Sequence, residues 1–130
     1  MATELGVAGG DSVARDLLDE VRLLAEQGRP HVELRQLGEV QAAGQCLPLL
    51  ALVLGNPAPD CPAVGYFGGV HGLERIGIEV VLAFLRSLVM RLRWDATLHA
   101  QLAGLRMVFM PLSIRAAWQE VRAPIHKVWT

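Results

Sequence analysis

The stretch Ala63-Val64-Gly65-Tyr66-Phe67-Gly68-Gly69-Val70-His71-Gly72-Leu73-Glu74 decides the fold. Its first half is short, apolar and β-prone, and it becomes glycine-rich toward its end. That pattern predicts a central strand from Ala63 to Val70 whose carboxyl end approaches a site closely. A long periodic segment follows at once. From about Glu74 to Arg93, the residues Ile76, Val80, Phe84, Leu88 and Leu92 recur every four positions, and Val81, Leu85 and Val89 widen the stripe. This spacing predicts a helix. Arg75 and Glu79 stand four apart near its start, the spacing of a helical ion pair.

The flanks carry the same layered logic. Upstream, Leu47 to Leu54 is almost wholly apolar and stops at Gly55-Asn56-Pro57, which predicts a buried strand ending in a turn. Before it, Val32, Leu34 and Leu37 stand among Glu33, Arg35 and Gln36, an alternation suited to a half-buried strand. Asp11 or Ser12 can cap a helix running to about Gln27. Val13, Leu17, Leu18, Val21 and Leu24 form its apolar stripe, and Gly28 and Pro30 end it. Downstream, Asp95 can cap a short helix to Ala103, and Leu105 to Leu112 reads as one more buried strand. Helix, strands, helix and strand in this order predict an α/β fold, a layered sheet with flanking helices. No internal repeat or low-complexity segment interrupts it.

Composition narrows the function classes. Hydrophobic residues make up 52% and charged residues 19% of the 130, and the net charge is -1. A charged share below the usual quarter marks an apolar domain. A near-neutral balance gives no electrostatic footing for nucleic acid, so no nucleic-acid partner is expected. Cys46–Gly55 is too short to span a bilayer, and Ile76–Leu92 carries Glu79, Arg86 and Arg91, so neither is read as a membrane span. Met1 to Asp11 has neither a basic start nor an apolar run, unlike a secretory signal. With two cysteines, Cys46 and Cys61, this predicts a cytoplasmic protein with free thiols.

The chemistry concentrates at the strand-to-helix turn. His71 and Glu74 are three positions apart where the chain enters a helix, so both side chains can point to one side and grip a single ion. Imidazole nitrogen and carboxylate oxygen are ordinary zinc donors. Gly68, Gly69 and Gly72 permit backbone angles closed to larger residues and clear space near a metal. The helix start favours ionised Glu74, the form that binds metal. On spacing alone a second reading stays open: His71 as a turn residue bonded to backbone, and Glu74 as a simple helix-start carboxylate.

Tyr66-Phe67-Gly68-Gly69-Val70-His71-Gly72-Leu73-Glu74-Arg75-Ile76-Gly77 resembles the strand–turn–helix segment of the M14 zinc carboxypeptidase family, and the resemblance extends over roughly Leu47 to Leu112. It implies that His71 and Glu74 are zinc ligands and that the fold is the amino-terminal portion of a zinc-peptidase-like αβα domain. The aspartoacylase and succinylglutamate desuccinylase branch has a similar His-Gly-x-Glu turn, and Leu73 at the variable position does not separate the two. The implied substrate is a peptide or an acyl-amino acid. The resemblance further implies a third ligand, a histidine on a later strand, with an arginine that reads the substrate's terminal carboxylate and a downstream glutamate base.

The chain departs from that family after Leu112. An asparagine–proline loop usually follows the corresponding strand, whereas here the sequence runs Ser113-Ile114-Arg115-Ala116-Ala117-Trp118 and on to Thr130. The expectation is therefore a carboxypeptidase-like part over residues 1–112 and an atypical tail over 113–130, out of frame or otherwise foreign to the fold. The alternative is a genuine terminal helix with Ile114, Trp118 and Val121 as its stripe. His126 stands beside Lys127, which opposes a cation, and His31 and His99 read as structural or exposed. On this reading the enzyme class is a zinc hydrolase, with the chain truncated and inactive alone. The competing reading is a non-catalytic α/β module that self-associates through exposed apolar surface.

Overall fold

Residues 16–42, 45–68 and 75–111 are described by the structure, a computed structural model. Residues 16–27 form the first helix, α1; its expected stripe is buried at Leu18, Val21 and Leu24 and half-buried at Leu17, and Ala25 is buried beside it. Val13 and the expected cap at Asp11 or Ser12 lie outside the described residues. The chain then enters β1 (Val32–Ala42) and β2 (Gln45–Gly55), which pair antiparallel from Val32 opposite Leu54 to Ala42 opposite Gln45. The register slips by one residue between Gln36 and Gly38, leaving Leu37 as a bulge. Pro48 sits within β2, opposite Glu39.

β3 (Ala63–Phe67) and β4 (Arg106–Met110) complete a mixed four-stranded sheet of order β1-β2-β4-β3. β4 pairs antiparallel with β2 and parallel with β3. Between them come α2 (Arg75–Arg91) and α3 (Ala96–Leu102). A parallel pair requires a crossover, and α2 with α3 is that crossover. The apolar runs of β2 and β4 follow from burial on both faces. Leu50, Leu52, Leu54, Met107 and Phe109 join the helices in one core cluster. Their alternates Leu49, Ala51, Val53, Val108 and Met110 form a second cluster with Leu37 and Phe67.

The end of β2 is tied to the chain entering β4. Gly55 has φ +93° and lies against the Leu105 carbonyl, so a Cβ there would collide with backbone. Asn56 donates its backbone N–H to the Leu105 oxygen at 3.0 Å and its side-chain amide to the Ala103 oxygen at 2.7 Å. Asp95 caps α3, accepting from the Thr97 and Leu98 amides at 3.0 and 3.2 Å.

α2 corrects one expectation. Its buried face is Ile78, Val81, Leu82, Leu85, Leu88, Val89 and Leu92, whereas Ile76, Val80 and Phe84 from the every-fourth-residue stripe are exposed. Four residues turn an α-helix by about 400°, so such a stripe creeps around the cylinder; alternating steps of three and four hold one face. β3 likewise ends at Phe67 rather than Val70, and Val70 lies outside the described residues. The expected Arg75–Glu79 pair involves an Arg75 side chain that also lies outside them.

Candidate metal-binding turn

The parallel strands β3 and β4 end side by side, Phe67 opposite Met110. One residue further, the Gly68 amide donates to the Met110 carbonyl at 3.0 Å. Gly68 is buried, and a Cβ built on it would stand 2.6 Å from the Pro111 oxygen, 3.0 Å from the Ile78 Cα and 3.1 Å from the Gly77 oxygen. Glycine is required there because the first turn of α2 and the end of β4 both press on the backbone. Of the three glycines singled out in this stretch, Gly68 is the one the structure describes, and its close approach to Pro111 gives it this packing role. Beneath it, Tyr66 stacks on Phe109 at 4.9 Å between centroids and meets Phe84 edge-on at 5.1 Å.

The connection from Gly68 to Arg75 carries His71 and Glu74. Both lie outside the described residues, as do Gly69 and Gly72. The described flanks determine where that connection starts and finishes: at the carboxyl end of a parallel strand and the amino end of a 17-residue helix. Ligands gather at such ends in α/β sheets, and a helix amino terminus favours a nearby carboxylate. An imidazole and a carboxylate are a fitting donor pair for zinc.

Other candidate donors are placed elsewhere. His31 and His99 meet edge to face at 4.6 Å, and the His99 Nε2 is 2.7 Å from the Leu92 oxygen. His31 directly precedes Val32, which pairs with Leu54 near the amino end of β4. That is the opposite end of the sheet from Gly68, offset along the strand direction by the length of β4, about 13 Å, and on the opposite edge of the sheet. His31 is exposed and His99 is half-buried. His126 lies outside the described residues. Cys46 and Cys61 are free thiols. Among the described residues no three His, Cys, Asp or Glu side chains converge on a position that could hold a metal ion. An open groove of about 480 Å³ lies between α1 and α2, lined by Asp16, Glu20, Glu79 and Arg86. Arg86 pairs with Glu20 across it. The groove belongs to the helix layer and not to the carboxyl end of the sheet. Among the described residues no helix is long and apolar enough to cross a membrane.

No family model matches the chain, and no curated protein matches it. Solved structures do. The chain is similar to bovine thrombin-activatable fibrinolysis inhibitor, solved in complex with tick carboxypeptidase inhibitor, at TM-score 0.60 and 18% identity. That likeness covers 84% of this chain and 34% of the bovine one. It is also similar to a protein named "putative carboxypeptidase A" from Shewanella denitrificans, at TM-score 0.56 and 20% identity, over 74% of this chain and 23% of that one. The chain thus spans about a third or less of the length of these neighbours. At such identities the likeness is one of fold, and this chain has a carboxypeptidase-like α/β fold.

Proposed function

We propose that this chain carries the ligand turn of a zinc-dependent hydrolase resembling the metallocarboxypeptidases, with His71 and Glu74 as two of the metal's protein ligands. The reaction class is cleavage of a carboxyl-terminal peptide bond or of the amide of an acyl-amino acid. The observation that supports this reading most is the coincidence of two independent features. The fold is carboxypeptidase-like, and the His-x-x-Glu spacing falls in the connection that leaves the carboxyl end of β3 and enters α2.

Bound zinc would supply a polarised scissile carbonyl and a water of lowered pKa. His71 contributes an imidazole nitrogen, which binds a metal only in its neutral form. Glu74 contributes a carboxylate, and the amino end of α2 favours its ionised form. Gly68 lets the start of the helix close onto the sheet, bringing the two ends of the ligand connection together. The third ligand and the proton-accepting carboxylate of such a site are not assigned to any described residue.

Equilibrium dialysis against zinc, followed by metal analysis, tests this reading without an activity assay. The wild-type chain is expected to retain zinc at pH 7.5 and to lose it as the pH falls through about 6. His71→Ala is expected to weaken retention at least about tenfold. Equal retention by the two proteins would remove the reading.

A further inference from the structure

The sheet has two apolar faces, and the described helices cover one of them. All three helices contribute to the cluster that contains Leu50, Leu52, Leu54, Met107 and Phe109. The other cluster, Leu49, Ala51, Val53, Val108 and Met110, is built from strand residues alone, with Leu37 and Phe67 packed at its margin. Its five central members are nonetheless no more than 6% exposed. A sheet face open to water leaves its side chains accessible, so burial this deep requires a layer above it.

The covered area has the width of one helix. Its buried members come from the central strands β2 and β4, which lie about 4.8 Å apart, and a helix with its side chains is about 10–12 Å across. At the margins Leu37 on β1 and Phe67 on β3 are half-buried. On β1 the same face carries Glu33 and Arg35, opposite Val53 and Ala51 and paired with each other at 3.1 Å. This polar rim marks where the cover stops. Along β2, Leu49 to Val53 spans about 13 Å.

We infer that residues 113–123 form that cover, folding back from the end of β4 as a helix laid across β2 and β4. The chain leaves β4 through Pro111, which is fully buried and follows Met110, a member of the covered cluster. Just beyond, Ile114, Ala117, Trp118 and Val121 stand at i, i+3, i+4 and i+7, an arc of about 100° on a helix. Arg115, Gln119, Glu120 and Arg122 fall outside that arc. Pro124 ends the segment, and a helix from Ile114 to Ala123 is about 15 Å long, the length of the covered area. Residues 1–15 lead instead into α1 on the opposite face. Their Leu5 and Val7 stand among Gly6, Gly9 and Gly10 and make no helical stripe. A second copy packed sheet to sheet would also close over the Glu33 and Arg35 rim. The segment is thus native to the fold and completes a helix–sheet–helix sandwich, independently of His71 and Glu74.

The test uses the full chain with Cys46→Ser and Cys61→Ser, and one thiol introduced by Val53→Cys on the second face. In a companion protein the thiol is introduced by Leu54→Cys, on the face that the described helices cover. Both thiols are expected to react with iodoacetamide at least about tenfold more slowly than in urea. Val121→Asp is expected to speed the reaction at position 53 at least about tenfold and to leave position 54 protected. Gln119→Asp, outside the stripe, changes neither. A thiol at position 53 that reacts freely with the tail unaltered overturns the inference, and so does one that stays protected after Val121→Asp. Iodide quenching of Trp118, with Trp94→Phe and Trp129→Phe, decides without a destabilised variant even where Val121→Asp unfolds the chain. Shielding that urea removes is expected, and quenching equal to that in urea overturns the inference. Protection that appears only as the protein concentration rises assigns the cover to a second copy and overturns it as well.

Discussion

The Gly68 amide donates to the Met110 carbonyl at 3.0 Å, one residue beyond the last paired position of β3. That bond holds the start of the candidate ligand connection against the end of β4, and the packing around Gly68 leaves no space for a side chain. Gly68→Val is therefore expected to destabilise the chain by about 1–3 kcal/mol through overpacking against Pro111 and Ile78. Urea unfolding measures this as a lower midpoint at unchanged slope.

Phe109 is fully buried in β4, stacked on Tyr66 and 5.8 Å from the Phe84 ring. It joins strand to helix at the centre of the larger core cluster. Phe109→Ala is expected to cost about 3–5 kcal/mol, most of what a small domain possesses. Circular dichroism in a urea titration would show a midpoint near zero denaturant or no folded baseline.

Asp95 gives the chain an acid-sensitive element. The Arg91 guanidinium bonded to its carboxylate, with the Leu98 and Thr97 amides, holds its pKa below the ordinary aspartate value. A depressed folded-state pKa contributes stability in full above the unfolded value of about 3.9 and loses it as the pH falls through the folded value. Asp95→Asn keeps an oxygen for capping but loses the charge. The variant is expected to be less stable than wild type at pH 6 and to converge with it toward pH 2, as read from urea midpoints across that range.

The Cys46 thiol lies 3.0 Å from Glu39 Oε2 on the paired strand and donates to it. This hydrogen bond to the neutral thiol, together with the carboxylate's charge, raises the Cys46 pKa above its ordinary value. In a Cys61→Ser background, Glu39→Gln is expected to move the pH profile of iodoacetamide alkylation at Cys46 to lower pH. An unchanged profile would mean that the carboxylate does not act on the thiol in solution.

Much of the fold was legible because local pattern and burial agree. The apolar runs at Leu47–Leu54 and Leu105–Leu112 read as buried strands, and β2 and β4 are buried on both faces between residues 49 and 54 and residues 106 and 110. β1 was readable only as far as Leu37, since the bulge there breaks the alternation although the strand continues to Ala42. The placement of β4 between β2 and β3 depends on pairing between distant segments and leaves no mark on any single one. On α2 the repeat of Ile76, Val80 and Phe84 drew attention to the outer face, while the core side is carried by mixed steps of three and four. The candidate site rests on residue types and spacing at His71 and Glu74, and the structure describes its two flanks.

The central claim is that an imidazole and a carboxylate in one connection hold the same ion. Competition for zinc against a chromophoric chelator, run on wild type, His71→Ala, Glu74→Gln and the double variant, tests it most directly. Each single substitution is expected to lower affinity at least about tenfold, and the double variant to be little worse than either, since one remaining donor cannot hold the metal alone. Identical zinc affinity across all four proteins would contradict the account.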